Sequence, residues 1–504
     1  MDLLLVNVPI DLGKKPYDLA FPFLKRLNFG ILAIASYMKD RGFQVRIFDP
    51  QAYSEEIFSE EACISRILQE IEHYSPLVVG LSCISGFSYP SCKKIAILIR
   101  QAFPSILIIV GGKDHVGQIA DIVLSECAAI DIVARGEGEE VLCKLIDSVK
   151  NKQPLEKVSN IVYRDTNGSI NSTNYDLTLN PQKITRLNYS LYPNFKTFPP
   201  SLEISRGCPF GCAFCVSAKT GVRKKDVSSI IDEAEYIVQI YDDEDIGLYL
   251  ETPMFLMQDK EISQLAYMRK EKGLNFTWRT ETRVDYLSPV RLQKLAEAGL
   301  RVLDLGFESA SPDILIRMGK TQKPQKYLEQ TSEILRTAYE LGIIVKMNIL
   351  FYIGETVETI KETIYFLEQN LPYTISVSAY PLLLYPGSSL ETGIEEDIKR
   401  YGGSIVNDKA WEERHLWPVN PSNEFTYDTL QELGTLFTKS FQTMETFYMQ
   451  KKYGYFSPGT SYIEFIQHSE NFGIEKLPFS KDKKELNNNR QKLWSKLMSL
   501  KVCH

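Results

Sequence analysis

Twice along this 504-residue chain, short apolar runs of strand length alternate with stretches of helical periodicity. Runs that are apolar throughout suit strands buried on both faces, which are the strands of parallel sheets joined by crossover helices. The first series has runs at Leu3 to Val8, Val45 to Phe48, Leu77 to Leu81, Ile106 to Val110 and Ile130 to Ala134. Between them, Gly30 to Arg41 reads as a helix stopped by Gly42, and Glu61 to Tyr74 ends before Pro76. Five such units predict an α/β domain over 1–150 with a doubly wound parallel sheet. Ligands of such sheets bind beyond the carboxyl ends of the strands, at the switch point.

Residues 151–200 are rich in Asn, Thr, Tyr and Pro and read as a connector, with a hairpin turning at Asn167-Gly168. The second series begins at Ser201. Its runs are Leu202 to Ser205, Ile246 to Leu250, Asn275 to Trp278, Val302 to Gly306, Ile344 to Leu350 and Ile375 to Tyr380. Ser288, Pro289 and Gly299 punctuate one of the intervening helices at its cap, first turn and end. Six βα units over 201–402 predict a partial (βα)6 barrel, with its site at the strands' carboxyl ends.

The rhythm stops after Gly402, and residues 403–504 read as mainly helical. Leu430, Leu433, Phe437, Phe441, Met444 and Tyr448 form a stripe along one long helix, expected to pack on the barrel. The tail from Lys481 to His504, charged and rich in Asn, is expected to be partly mobile. Trp411, His415 and Trp417 either shape a pocket or pack a core.

Composition narrows the partners. With 57 basic and 64 acidic residues the net charge is −7, which speaks against a broad nucleic-acid footprint. No apolar run approaches the ~18 residues of a membrane span, and the first residues lack the basic start of a signal peptide. A cytoplasmic location is expected.

Nine cysteines without a secretion signal argue against a disulfide framework. Six are scattered, but Cys208, Cys212 and Cys215 form a C-x3-C-x2-C cluster in Ser-Arg-Gly-Cys-Pro-Phe-Gly-Cys-Ala-Phe-Cys, just after the first barrel strand. Random placement would give that spacing roughly 0.003 times. Structural zinc wants four closed ligands, whereas here no fourth is near, and no histidine lies between His115 and His415. Three thiolates suit a [4Fe-4S] cluster with one iron open to a substrate or cofactor.

In the first domain neither a dinucleotide fingerprint nor a P-loop lysine motif is present. Glycine stands instead after the fourth and fifth strands, at Gly111-Gly112 and Gly136-Glu137-Gly138-Glu139, where small residues let a bulky ligand lie against the backbone. Ser82 ends the third strand with a hydroxyl. A scaffold, a nucleotide binder and a cobalamin binder all fit such a domain.

The cysteine loop after the first strand of a βα series resembles the radical S-adenosylmethionine (radical SAM) superfamily. Joined to the glycine-edged first domain, it resembles the B12-binding radical SAM enzymes over about the first 400 residues. The resemblance implies that SAM chelates the open iron and is cleaved by one electron, from an external donor such as a flavodoxin or ferredoxin, to a 5′-deoxyadenosyl radical. It further implies that Phe214 lies by the adenine and that Glu308 and Ser309, in Gly306-Phe307-Glu308-Ser309, approach the SAM ribose. Arg283, in Trp-Arg-Thr-Glu-Thr-Arg-Val-Asp, matches an arginine often found after the third strand, and Gly354-Glu355-Thr356 and Tyr385-Pro386-Gly387-Ser388 resemble later loops.

Two positions depart from the family pattern. Glu251-Thr252-Pro253-Met254-Phe255 replaces an Asp-Asp-x-Phe type sequence, and no proline precedes Gly354. The D-x-H-x-x-G loop of other cobalamin domains is missing as well, since residues 9–30 contain no histidine. Cobalamin is thus expected with neither its own base nor a histidine on cobalt, and His115, after the fourth strand, is expected to be a surface loop residue. The implied reaction is methylation of an unactivated carbon or a phosphinate phosphorus of a small molecule or peptide, with methylcobalamin as donor. A cyclisation, ring contraction or oxidative rearrangement with the same cofactors is the alternative. A tRNA methylthiotransferase would want further cluster cysteines and a basic tail, and a cobalamin sensor would want an output module.

Overall fold

The computed structural model describes residues 1–10, 25–53, 59–175, 179, 186–391 and 393–500. The apolar runs of the first series become β1 (Leu3–Asn7), β2 (Val45–Phe48), β3 (Val78–Ser82), β4 (Leu107–Gly111) and β5 (Ile132–Ala134). They are parallel in the order β2-β1-β3-β4-β5, so the chain reverses its winding between β1 and β3. Helices α1 (Phe29–Lys39), α2 (Glu60–Tyr74), α3 (Tyr89–Ala102), α4 (Ala120–Glu126) and α5 (Gly138–Lys150) cover the two faces. Beyond β5 the sheet gains two antiparallel strands, β6 (Ile161–Arg164) and β7 (Ile170–Ser172). These form the hairpin expected at Asn167-Gly168. The Asp165 carboxylate accepts from the Asn167 and Ser169 amides, both at 2.9 Å, and Gly168 takes φ +85°.

The second series builds a six-stranded parallel sheet in sequential order. Its strands are β8 (Ser201–Glu203), β11 (Gly247–Glu251), β12 (Thr277–Arg283), β13 (Leu300–Glu308), β14 (Ile344–Phe351) and β15 (Ser376–Pro381). Two short strands, β9 (Ser205–Arg206) and β10 (Arg223–Lys224), pair antiparallel at the base of the cysteine loop. Among the described residues β8 and β15 do not pair, which leaves the expected partial barrel. Its helical layer is α6 (Val227–Tyr241), α7 (Asp259–Glu271), α8 (Pro289–Glu297), α9 (Pro312–Arg317), α10 (Pro324–Glu340) and α11 (Val357–Gln369).

The third barrel strand is longer than the apolar run Asn275 to Trp278, because Arg279, Glu281 and Arg283 alternate with Trp278, Thr280 and Thr282. The charged set faces a polar interior. Arg279 donates to both oxygens of Asp304 at 2.5 and 2.6 Å, Lys346 lies 3.6 Å from the same carboxylate, and Arg279 also donates to the Gln450 carbonyl at 2.8 Å.

The C-terminal region closes the open side. A small antiparallel sheet, β16 (Leu383–Leu384), β18 (Trp417–Asn420) and β17 (Ser404–Ile405), is accompanied by α12 (Ile394–Arg400) and α13 (Lys409–Glu412). The apolar stripe is split over two helices, α14 (Tyr427–Phe441) and α15 (Met444–Lys452). Leu430, Leu433, Phe437 and Phe441 pack on the barrel as expected, whereas Met444 and Tyr448 pack into a separate apolar cluster with Phe456, Phe465 and Phe479. Thr443 begins a new helix by a reciprocal cap with Thr446, while the Gln442 side chain bonds Ser376 and the Pro478 carbonyl. α14 lies close on β15, where a β-carbon at Gly434 would come within 2.5 Å of the Ala379 carbonyl oxygen.

α16 (Tyr462–Phe472) and α17 (Lys483–Leu500) follow. The tail is therefore ordered rather than mobile as far as Leu500. Leu493 and Leu497, one turn apart, are fully buried, and the Trp494 indole donates to Glu368 at 2.9 Å. Residues 501–504, Cys503 among them, lie outside the described residues. One apolar core runs from the α1 and α5 side of the first sheet through Tyr189, Tyr192 and Phe198 to the helical layer of the barrel. No described helix is long and apolar enough to cross a membrane.

Candidate active site

The carboxyl ends of the two sheets face one another across a cavity of about 480 Å³. Ser82, Gly111, Gly112 and Gly136 line it from the first sheet, and Glu203, Glu251, Thr252 and Glu281 from the barrel. All four first-domain candidates are thus brought together. The crevice between β1 and β3 is dressed with amides: Asn28 caps α1 through its Oδ1 and donates from Nδ2 to Ser82 Oγ at 3.2 Å and to Asn7 Oδ1 at 2.7 Å. Asn7 in turn donates to Asp49 at 3.0 Å. Neither asparagine was singled out from the sequence, although Asn28 stands where a helix cap is expected.

The two adjacent glycines are small for different reasons. At Gly112 a β-carbon would sit 1.9 Å from the Cys83 carbonyl oxygen, so close backbone packing requires it. At Gly111 the nearest neighbour would be the Ala134 β-carbon at 3.8 Å, and only the cavity would be filled.

His115 is not a surface residue. It is fully buried, 5.9 Å from the Tyr89 ring and beside Gly86, and burial pulls its pKa down to about 4. The loop of Gly112 to Gln118 folds back on itself, through amide bonds from His115 and Gly117 to the Gly112 carbonyl, and tucks the imidazole under the C-terminal segment. There His415 Nε2 lies 2.9 Å from Glu126, and Trp411 stands edge-on to Phe87, so these two residues pack on the first domain. Trp417 packs beside the apolar group around Tyr352, Leu384 and Val419.

The cysteine loop leaves β9 through Gly207, whose φ of +86° and close approach to the Gly221 carbonyl exclude any side chain. Paired bonds between Cys208 and Thr220, and from the Lys219 amide to Phe210, close the loop. The Ala213 amide to the Met318 carbonyl ties it to the segment after β13. Cys208 and Cys212 are buried and Cys215 is half-buried. Burial pushes the Cys208 and Cys215 thiols up, and the neighbouring cysteine sulfurs add to the rise.

Among the described residues, no three His, Cys, Asp or Glu side chains converge tightly enough for a single ion. A cluster is larger than an ion and spreads its thiolates further apart. Three soft sulfur donors on one loop, with the Arg283 and Lys320 cations beside them, suit such an anionic group.

Arg283, at the end of β12, donates to Cys212 Sγ at 2.9 Å. Glu308 sits at a bulge at the end of β13 with φ +73° and pairs with Lys320 Nζ at 2.9 Å. Phe214 meets Tyr352 edge-on at 6.4 Å. The Ser309 hydroxyl is engaged locally, accepting from the Ser311 amide at 3.1 Å and lying 3.4 Å from Thr363.

Two residues outside the expected set join the site. Arg206 donates to Glu139 and Glu203, both at 2.7 Å, and lies 3.3 Å from Glu137. Arg223 grips both oxygens of Glu137 and the Leu179 carbonyl. Burial would raise the Glu137 carboxyl, but the two arginines hold it below its usual range. The stems of the cysteine loop are thereby bound to the Gly136-Glu137-Gly138-Glu139 loop of the first domain. Glu281, on the barrel wall, is pushed up to about 8 by burial and by the neighbouring carboxylates of Asp304 and Glu251.

The fold and site define a chain that joins a cysteine-bearing partial barrel to a doubly wound ligand-binding sheet. Residues 202–367 match the radical SAM superfamily and residues 27–146 the B12 binding domain. This chain is a B12-binding radical SAM protein, and its cofactors are a [4Fe-4S] cluster, SAM and cobalamin.

It is 26% identical to an uncharacterized methyltransferase of Pyrococcus horikoshii over 84% of this chain and 88% of that one. It is 25% identical to the anaerobic magnesium-protoporphyrin IX monomethyl ester cyclase of Rubrivivax gelatinosus over 66% of this chain and 60% of that one. Its fold is shared with the cobalamin-dependent S-adenosylmethionine radical enzyme OxsB with aqua-cobalamin bound, at TM-score 0.72 and 18% identity over 99% of this chain and 80% of that one. It is also shared with the radical S-adenosylmethionine methyltransferase TsrM from Kitasatospora setae with cobalamin and [4Fe-4S] cluster bound, at TM-score 0.66 and 16% identity over 99% and 89%.

Proposed function

We propose that this chain is a B12-dependent radical SAM methyltransferase that methylates an unactivated carbon, or a phosphinate phosphorus, of a small biosynthetic intermediate. The observation that carries this reading is the single cavity walled by the carboxyl ends of both sheets, beside the cysteine loop. The bound cofactors supply hydrogen-atom abstraction through cleaved SAM and a methyl group carried on cobalt. Everything else is placement by this chain's residues.

Cys208, Cys212 and Cys215 hold the cluster. Phe214 and Glu308 flank SAM, the carboxylate kept in place by Lys320. Ser82, Gly111, Gly112 and Gly136 form the floor on which the corrin lies. His115, packed away from the cavity, would not be among the residues that hold the corrin. Glu251, Thr252 and Glu281 face the substrate, and the one electron comes from an external flavodoxin or ferredoxin.

Anaerobic purification with cobalamin supplied, followed by iron and corrinoid quantification, tests the cofactor placement. Cys212→Ala should lose the cluster absorbance and all formation of 5′-deoxyadenosine. A variant that still makes 5′-deoxyadenosine would refute the assignment. The relative that is a cyclase favours, as a second reading, a non-methylating cyclisation, ring contraction or oxidative rearrangement. Product mass separates the two, since only methylation adds a carbon.

A further inference from the structure

We infer that Arg283 sets the reduction potential of the cluster through the Cys212 sulfur, as a positioning residue that does not itself contact SAM. This deepens the proposed function and rests on the cluster being bound by the three cysteines. Four of the five guanidinium N–H groups are already engaged. Nε and Nη2 donate to the two oxygens of Asp285 at 2.9 and 2.8 Å, Nη2 also donates to the Lys320 carbonyl at 2.5 Å, and Nη1 donates to Cys212 Sγ at 2.9 Å. The Phe210 ring, itself part of the cysteine loop, lies 4.2 Å from the guanidinium carbon. Held on three sides and stacked on the fourth, the group cannot swing to a ligand without breaking the bonds that aim it at sulfur.

The contact singles out one cysteine. Cys208 and Cys215 are bonded by the backbone at Phe210 and Ser217, whereas Cys212 has a cationic donor. At 2.9 Å the Nη1 donor is in direct contact with the sulfur, and the guanidinium charge makes a bond to a thiolate there charge-assisted. Both partners are buried, at 6% and 8% exposure, so the charge is weakly screened. Lys320, the other nearby cation, is paired with Glu308 at 2.9 Å. Asp285, the counter-charge of Arg283, has a side chain 38% exposed to water, which screens it.

Reduction adds one electron, and so one negative charge, to the cluster, with the electron supplied by the external donor and no proton moved. A fixed buried cation donating to a cluster sulfur favours the reduced form and raises the potential. Arg283 therefore eases the reduction that must precede SAM cleavage.

The test is an EPR-monitored potentiometric titration of the reconstituted, cobalamin-loaded protein. Arg283→Gln should retain its four irons and become harder to reduce by about tenfold in the equilibrium constant, 59 mV for one electron. Arg283→Lys, which keeps the charge without the planar fork, should recover part of that loss. Asp285→Asn removes an opposing charge and should leave the midpoint unchanged or move it upward, whereas loss of mere structural support would not separate the variants by sign. An Arg283→Gln protein with full iron and the parental midpoint overturns the inference. If that variant keeps no iron, the decision passes to Asp285→Asn: the inference is overturned if its midpoint shifts downward. A parent protein that binds no cluster would sink the proposed function instead, through its iron content alone.

Discussion

Gly111 and Gly112 show how differently two neighbouring residues of one type can be constrained. Gly111→Leu should leave the fold intact, because its side chain meets only the cavity, yet should abolish cobalamin uptake in a spectrophotometric titration. Gly112→Ala should cost about 3 kcal/mol by overpacking against the Cys83 carbonyl, visible as a lower urea midpoint without any cofactor present. If both variants bound the corrinoid normally, the floor of the site would lie elsewhere. The sequence revealed these glycines by position alone; it could not say which was spared for a ligand and which for a carbonyl, since that depends on the path of the chain after β3. The cysteine trio was legible because its chemistry is local. Arg206, Arg223 and Glu281 were not, because ion pairs between segments far apart in sequence leave no local spacing to read.

Elements announced themselves where burial makes them apolar and stayed hidden where it does not. The first-sheet strands, sandwiched between helices, were read within a residue or two. β12 reads short because half of its side chains face the charged lumen. The α14–α15 stripe reads as continuous because apolar spacing carries on past Thr443, although the two helices bury their apolar residues in different clusters.

The loop after β4 carries a testable consequence. His115 titrates near 4 in the fold and near its ordinary 6.5 in the unfolded chain, so below pH 6.5 the unfolded state binds more protons. Stability from this group is complete above pH 6.5 and is lost as pH falls toward 4, at about 1.4 kcal/mol per unit, or roughly 2 kcal/mol by pH 5. His115→Phe should reduce the drop in unfolding free energy, read from urea titrations, between pH 7 and pH 5 by that amount. An unchanged drop would place the titrating group elsewhere.

On the scale of the molecule, the two sheets are held in register by a few charges and one shared apolar core. Glu137→Gln should weaken the grip of Arg206 and Arg223 on the first domain while leaving the thiols and the glycine floor untouched. Iron and corrinoid contents should stay at parental levels while methyl transfer falls about tenfold, as misalignment of two reacting groups would cause. Equal losses of corrinoid and turnover would show that the carboxylate serves binding instead. The alternation of strands and helices foretold both halves, but not their meeting, since an interface written in arginines and glutamates is indistinguishable from solvated surface until the chain is folded.

The segment from Trp411 to Leu416, made late in the chain, returns to rest on Phe87, Glu126 and the ring of Tyr89, near where the chain began. It works as a buckle: a chain ending at residue 402 would be less a shortened enzyme than a pair of lobes with nothing to fasten one edge.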